Sequence, residues 1–400
     1  MTNLDWPAAM AFASDGRLFY GERLTGAIRI IEDGTLLSTP FYRLSNVVSD
    51  DEDGLLGLTL APGFPADPWV YVYYTYEDVQ NARVFNRISR IRAVGNAGQY
   101  EEVLLDRIRH AIWHNGGPMA FGPDGKLYAV VGDALNLSVA QFLGSRSGKV
   151  LRINPDGTAP TDNPFSGDAS VNPYIYTYGH RSMFGLAFHP VTGKLFVTEN
   201  GPACNDEVNL LIPGRNYGWG LKETCSSPPS PPDNTNQDGP DPVLPLVWWT
   251  PPIAPTNAII YWGPNFTEYQ GDLIMGDYHT GSLRRLDLEP PDYDRVVSQT
   301  VLVRVSEGIL AVEQGPDGAI WFTTQSTIYR FVDAAQRPQA SFTATPNPAD
   351  VGVPVAFDAS ASTDADGTIV SYDWDFGDGF SGSGVQTTHA YGAQASYTVT

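Results

Sequence analysis

Apolar residues in this chain come in short alternating runs, each closed by a turn dipeptide instead of extending into a helical stripe. Four runs share one pattern: Phe12-Ala13-Ser14-Asp15-Gly16-Arg17-Leu18-Phe19, Phe121-Gly122-Pro123-Asp124-Gly125-Lys126-Leu127-Tyr128, Phe188-His189-Pro190-Val191-Thr192-Gly193-Lys194-Leu195-Phe196 and Gly315-Pro316-Asp317-Gly318-Ala319-Ile320-Trp321-Phe322. Each reads as strand, Asp-Gly or Thr-Gly turn, strand, which is a hairpin signal. Leu60 to Thr75, with its strand Tyr71-Val72-Tyr73-Tyr74, and Gly271 to Gly276 fit the pattern loosely. Six units at a spacing of roughly 50 residues predict an all-β fold, a six-bladed β-propeller over residues 1–333. A sandwich of unrelated hairpins is the alternative, but a span of about 330 residues is too long for one ordinary sandwich domain. A strand is expected before the first hairpin, and Asp5-Trp6 run almost directly into it. The expectation is therefore that part of the N-terminus is missing from this sequence.

The pattern changes after Ile328-Tyr329-Arg330-Phe331. Residues 334–338 read as a linker, and 339–400 as a second module. Val355-Ala356-Phe357-Asp358, Tyr372-Asp373-Trp374-Asp375-Phe376-Gly377-Asp378-Gly379 and His389-Ala390-Tyr391 closely resemble the PKD domain, an Ig-like β-sandwich of extracellular proteins. The likeness ends mid-strand at Tyr397-Thr398-Val399-Thr400, so the module is expected to be incomplete. His389 and the acidic turns of this module are expected to be structural.

Composition then narrows the function classes. A formal charge of -21 and only four lysines, Lys126, Lys149, Lys194 and Lys222, exclude nucleic-acid binding, which needs basic surface. No apolar stretch approaches the roughly 18 residues of a membrane span. Cys204 and Cys225 sit in one loop-rich segment; a disulfide is expected, with two buried thiols as the alternative. Extracellular or periplasmic placement is expected, although no signal segment is visible.

The chemistry-bearing residues fall between the strands. Glu52-Asp53-Gly54-Leu55 opens one loop, and His114-Asn115-Gly116-Gly117-Pro118 sets an imidazole on another, followed by a strand ending in Gly132-Asp133. Further along lie Gly179-His180-Arg181-Ser182, Glu199-Asn200-Gly201-Pro202, Asn205-Asp206-Glu207-Val208-Asn209 and Gly214-Arg215-Asn216-Tyr217-Gly218-Trp219. Together with Gly148-Lys149-Val150-Leu151-Arg152 and Asp162-Asn163-Pro164-Phe165, these resemble the soluble glucose/sorbosone dehydrogenase family. Members of that family are six-bladed propellers that oxidise sugars with pyrroloquinoline quinone (PQQ) and calcium.

The resemblance implies roles. His114 aligns with the general base, and imidazole has a suitable pKa for taking the proton of a sugar hydroxyl. Asp133 aligns with the carboxylate that orients it, and Arg181 with a cation beside the quinone. Glu52, Ser182, Gly201, Pro202, Asp206 and His279 fall at cofactor-facing positions. Calcium takes carbonyl and carboxylate oxygens. The carbonyls of Gly201 and Pro202 match the ion that holds the quinone, and Glu207 with the Tyr217 carbonyl matches a second, structural calcium.

The chain also departs from the family. An Arg-x-Arg pair that clamps the PQQ carboxylates is Gly308-Ile309-Leu310 here, and a basic position after the fifth repeat is His279. Arg284, Arg285 and Arg304 are candidate substitutes, or plain strand-surface charges. Trp248 and Trp249 are candidates for stacking on sugar, or for packing between blades. The sequence thus points first to a PQQ- and calcium-dependent oxidation of aldose-type sugars. Its rival is a non-catalytic, calcium-stabilised propeller that binds carbohydrate or protein at the cell surface, with the PKD module as a further contact. A calcium-dependent lactonase lacks an obvious central cluster of ligands.

Overall fold

Strands dominate the computed structural model, which describes residues 1–222, 225, 232–333, 338–364 and 368–400. Most of the expected linker 334–338, and residues 365–367, lie outside the described residues. Two compact units result, Met1–Phe331 and Val332–Thr400.

The first unit is a ring of six antiparallel sheets. Their innermost strands are Pro7–Phe12, Leu55–Leu60, Met119–Phe121, Met183–Phe188, Pro255–Ile260 and Val312–Gln314. Each packs on the next, and the last packs on the first, which closes the propeller. In four blades an Asp-Gly or Thr-Gly turn joins the innermost strand to its neighbour, as in Met119–Phe121 with Leu127–Val131, where Gly125 takes φ +71°. Second strands such as Leu18–Glu22 and Leu127–Val131 are buried along their whole length. They read as continuous apolar runs because a neighbouring blade covers each face. The core therefore lies between blades: Phe19 of the first meets Phe64 of the second at 5.4 Å, and Tyr128 of the third meets Phe188 of the fourth at 4.9 Å, both edge-to-face.

Four-stranded blades are the rule, with two departures. The first sheet carries an extra short strand, Tyr42–Arg43, and the last has three, Val312–Gln314, Ile320–Thr323 and Ile328–Phe331. The last sheet is completed by the N-terminal residues. Met1 and Ile328 exchange backbone hydrogen bonds at 2.9 Å, and Leu4 and Trp6 donate to Ser326 and Gln325. The strand expected before the first hairpin is Pro7–Phe12, and Met1–Trp6 runs along the last sheet.

In the second unit, one sheet pairs Thr343–Thr345, Val355–Asp358 and Gln386–His389, and another pairs Asp373–Asp375 with Ser381–Ser383. Trp374 is buried with Val355, Phe357 and Phe376. His389 stacks on Phe376 at 4.3 Å and bonds Asp378 at 2.7 Å, a structural pairing. No helix among the described residues is long and apolar enough to cross a membrane.

Candidate active site

A cavity of about 760 Å³ runs down the axis of the ring, lined by residues of all six innermost strands. Polar side chains gather where those strands begin and the second strands end. Trp6, Glu52, His114, Arg181 and Ser182 come from segments entering innermost strands, whereas Arg23, Asn200–Pro202, Tyr278 and His279 follow second strands. The hairpin turns close the opposite ends of the same strands. Loops at one end are free to carry chemistry while the strands carry the fold.

His114 is held from three sides. Its Nδ1 meets Asp133 Oδ1 at 2.7 Å, and its backbone N–H donates to Glu52 Oε2 at 2.7 Å. Its own φ is +63°, a left-handed conformation rare outside glycine. Gly132 permits the approach, since a Cβ there would lie 2.1 Å from the His114 carbonyl oxygen. Asp133 is fully buried and also accepts from Trp219 Nε1 and the Leu135 N–H, each at 2.9 Å. With Nδ1 engaged, Nε2 is the ring nitrogen left to meet a molecule in the cavity. Burial pushes the Glu52 carboxyl upward, and the His114 N–H works against that shift.

Arg181 joins the same cluster. Its carbonyl accepts from the Asp133 N–H at 2.7 Å, its Nη1 donates to the Asn200 carbonyl at 2.9 Å, and its guanidinium lies 5.3 Å from the Trp219 ring. Ser182 lines the cavity, and its buried Oγ has no hydrogen-bond partner among the described residues. Gly201, Pro202 and Asp206 also line it. The Asp206 carboxylate, however, is a loop staple: it accepts from the N–H groups of Gly201 (2.8 Å), Ile253 (2.7 Å) and Ala254 (2.6 Å). His279 is exposed at the mouth, with Nδ1 3.2 Å from the Pro252 carbonyl.

Glu207 and Tyr217 lie away from the cavity, in a buried pocket of oxygens. Glu207 Oε1 accepts from Asn209 at 2.9 Å and from Asn236 at 3.3 Å, and the same Asn236 amide nitrogen donates to the Tyr217 carbonyl at 2.7 Å. Glu207 Oε2 and Asn209 Oδ1 are buried without partners among the described residues. Burial, reinforced by the facing Glu199, pushes the Glu207 carboxyl up to about 8. Orphaned hard oxygens next to an over-buried carboxylate suit calcium. Among the described residues no group of three or more His, Cys, Asp or Glu side chains is placed to hold a metal. An ion here would rest on Glu207 with amide and carbonyl oxygens.

Several alternatives left open in the sequence now resolve. Cys204 and Cys225 are bonded, with Cα atoms 5.7 Å apart. Arg284 and Arg285 are strand-surface charges paired with Asp277 and Asp272, and Arg304 is exposed on an outer strand; none lines the cavity. Trp248 and Trp249 lie on the outermost strand of the fourth blade, away from the cavity. Trp6, Trp113 and Tyr278 line it instead. Those three, with Arg23, are what the sequence reading missed, whereas Trp219 stood in the motif Gly214–Trp219 without a role of its own. The four missed residues belong to no local motif, although each follows or precedes a strand at the site end.

Comparison with known proteins follows the same division. The glucose/sorbosone dehydrogenase family matches residues 4–331, and a PKD domain matches 335–400. An uncharacterized protein of Synechocystis sp. is 32% identical, over 80% of this chain and 82% of its own. Quinoprotein glucose dehydrogenase B of Acinetobacter calcoaceticus is 32% identical over 55% of this chain and 51% of its own. The PQQ-bound aldose sugar dehydrogenase of Streptomyces coelicolor superposes with a TM-score of 0.68 at 26% identity, covering 81% of this chain and 89% of that one.

Proposed function

This chain belongs to the glucose/sorbosone dehydrogenase family, and we propose that it oxidises aldose-type sugars with PQQ and calcium, using His114 as general base. The observation that carries the reading is the chain Trp219–Asp133–His114 at the cavity mouth, with Arg181 bonded into the same loops. The cavity volume is in the range of small-molecule sites. Arg181, Ser182 Oγ and the Gly201-Pro202 backbone would hold an anionic quinone and its calcium. PQQ, when bound, supplies a two-electron acceptor for the hydride of the sugar carbon.

The protein's part is proton handling and orientation. Asp133 fixes the Nδ1–H tautomer of His114, so Nε2 is the lone pair that takes the hydroxyl proton as the C–H bond breaks. Asp133 is a positioning residue, itself held in place by N–H donors from Trp219 and Leu135. Glu52 holds the His114 backbone in its left-handed conformation. Arg181 places positive charge where negative charge develops on reduction. Trp6, Trp113 and Tyr278 offer apolar faces on which a pyranose ring can stack. The disulfide fits an extracellular or periplasmic protein, and the PKD module fits an extracellular partner.

Dye-linked aldose oxidation by the full chain should require both calcium and PQQ. His114→Ala should lower kcat by about 10²–10⁴-fold, the usual worth of a placed base. Asp133→Asn should lower kcat while leaving PQQ affinity near that of the wild type. Absence of saturable PQQ binding by calorimetry would establish the rival, a non-catalytic propeller.

A further inference from the structure

We propose that Arg23 is the anion clamp of this cavity, binding a carboxylate of the quinone in place of the arginine pair that the last blade lacks. The inference rests on the PQQ reading above. A tricarboxylate needs cations, and the last blade offers none: Leu310 lines the cavity and Gly308 has no side chain. Gly308 also cannot be replaced by arginine. A Cβ there would lie 2.4 Å from Tyr278 Cδ2 and 2.6 Å from the Tyr278 carbonyl oxygen. Tyr278, from the fifth blade, thus occupies the space over Gly308.

Arg23 reaches the same cavity from the first blade, the next in the ring. Its guanidinium lies 4.4 Å from the Trp6 ring centroid, which fixes its plane. Nη1 is spent on the carbonyls of Asp51 and Asp53, while Nε is buried without a hydrogen-bond partner among the described residues. Two of its three acidic neighbours, Glu52 and Asp53 but not Asp51, are engaged elsewhere. Glu52 takes the His114 N–H, and the Asp53 carboxylate takes His110 at 2.9 Å and Asn115 at 3.0 Å. Among the described residues Arg23 therefore bonds carbonyls and no carboxylate. Burial pulls its pKa down, as it would for a cation whose counter-ion arrives with a ligand. An arginine held by one nitrogen, lying over an aromatic ring and lining a cavity is pre-organised for a carboxylate.

The test is calorimetric titration of the calcium-loaded full chain with PQQ and with PQQ trimethyl ester, whose carboxylates are masked. Arg23→Gln should weaken PQQ binding by about 10–100-fold, the worth of one charge-assisted pair, and leave ester binding unchanged. Arg23→Lys, which keeps the charge and loses the fork, should fall between. Equal PQQ affinity in wild type and Arg23→Gln overturns the inference. So does an equal loss for PQQ and ester, which would mark Arg23 as a brace of the Asp51–Asp53 loop. A wild type that binds the ester but not PQQ, or binds neither, overturns the cofactor reading and this inference with it.

Discussion

Burial at single residues sets most of the electrostatics of this propeller. Glu313 stands on the innermost strand of the last blade and lines the channel. It keeps some contact with the lumen, but the surrounding strands remove it from bulk water, and burial pushes its carboxyl up to about 8. In the unfolded chain the same group ionises near its ordinary 4.5. The native state therefore holds a proton that the unfolded state has lost between those values, and stability falls as pH rises through about 8. Glu313→Gln should remove that loss. Melting temperatures at pH 5 and pH 9 should differ less in the variant than in the wild type, and parallel curves would refute the assignment. Lys149 is the opposite case: fully buried, it donates to the carbonyls of Val139, Ala140 and Ser147 at 2.8–2.9 Å and braces the only α-helix among the described residues, Leu137–Gln141. Its resemblance to the family thus marks a structural brace. Arg152, paired with Asp124 and Asp162, is another.

Among elements, the fourth blade carries the most constraint. Its second and third strands, Leu195–Glu199 and Asp206–Leu211, are linked by the loop through Gly201 and Pro202. That loop is stapled by Asp206 and tied by Cys204–Cys225 to a segment more than twenty residues away. The cross-strand pair Glu199–Glu207 sets two buried carboxylates side by side. Glu199 is satisfied by His180 Nδ1 at 2.9 Å and the Arg181 N–H, but Glu207 keeps an orphan oxygen. A divalent cation would satisfy it and, by binding the folded state alone, raise the melting temperature with calcium concentration. Removing calcium with a chelator should lower Tm, and Glu207→Gln should abolish that response. An unchanged melting curve on chelation would rule out the structural ion.

For the whole molecule, every residue lining the cavity belongs to Met1–Phe331. The PKD unit has its own core around Trp374. A chain cut after Asp333 should therefore keep PQQ binding and aldose oxidation within about two-fold of the full chain, because every lining residue is retained. Loss of PQQ binding on truncation would show that the second unit contributes to the site.

What was legible in the sequence is what local chemistry determines. Asp-Gly and Thr-Gly turns favour hairpins and their recurrence implies blades, while His114, Asp133 and Arg181 were singled out by motifs that resemble the family. What only the tertiary structure decided is what closes the ring and what fills its centre. Met1–Trp6 joins the last sheet by backbone hydrogen bonds, which leave no side-chain pattern to read. Arg23, Trp6 and Tyr278 come together from separate blades, 272 residues apart along the chain at the extremes, because a propeller folds its first and last blades into contact. Sequence spacing cannot report a neighbour that exists only once the ring has closed.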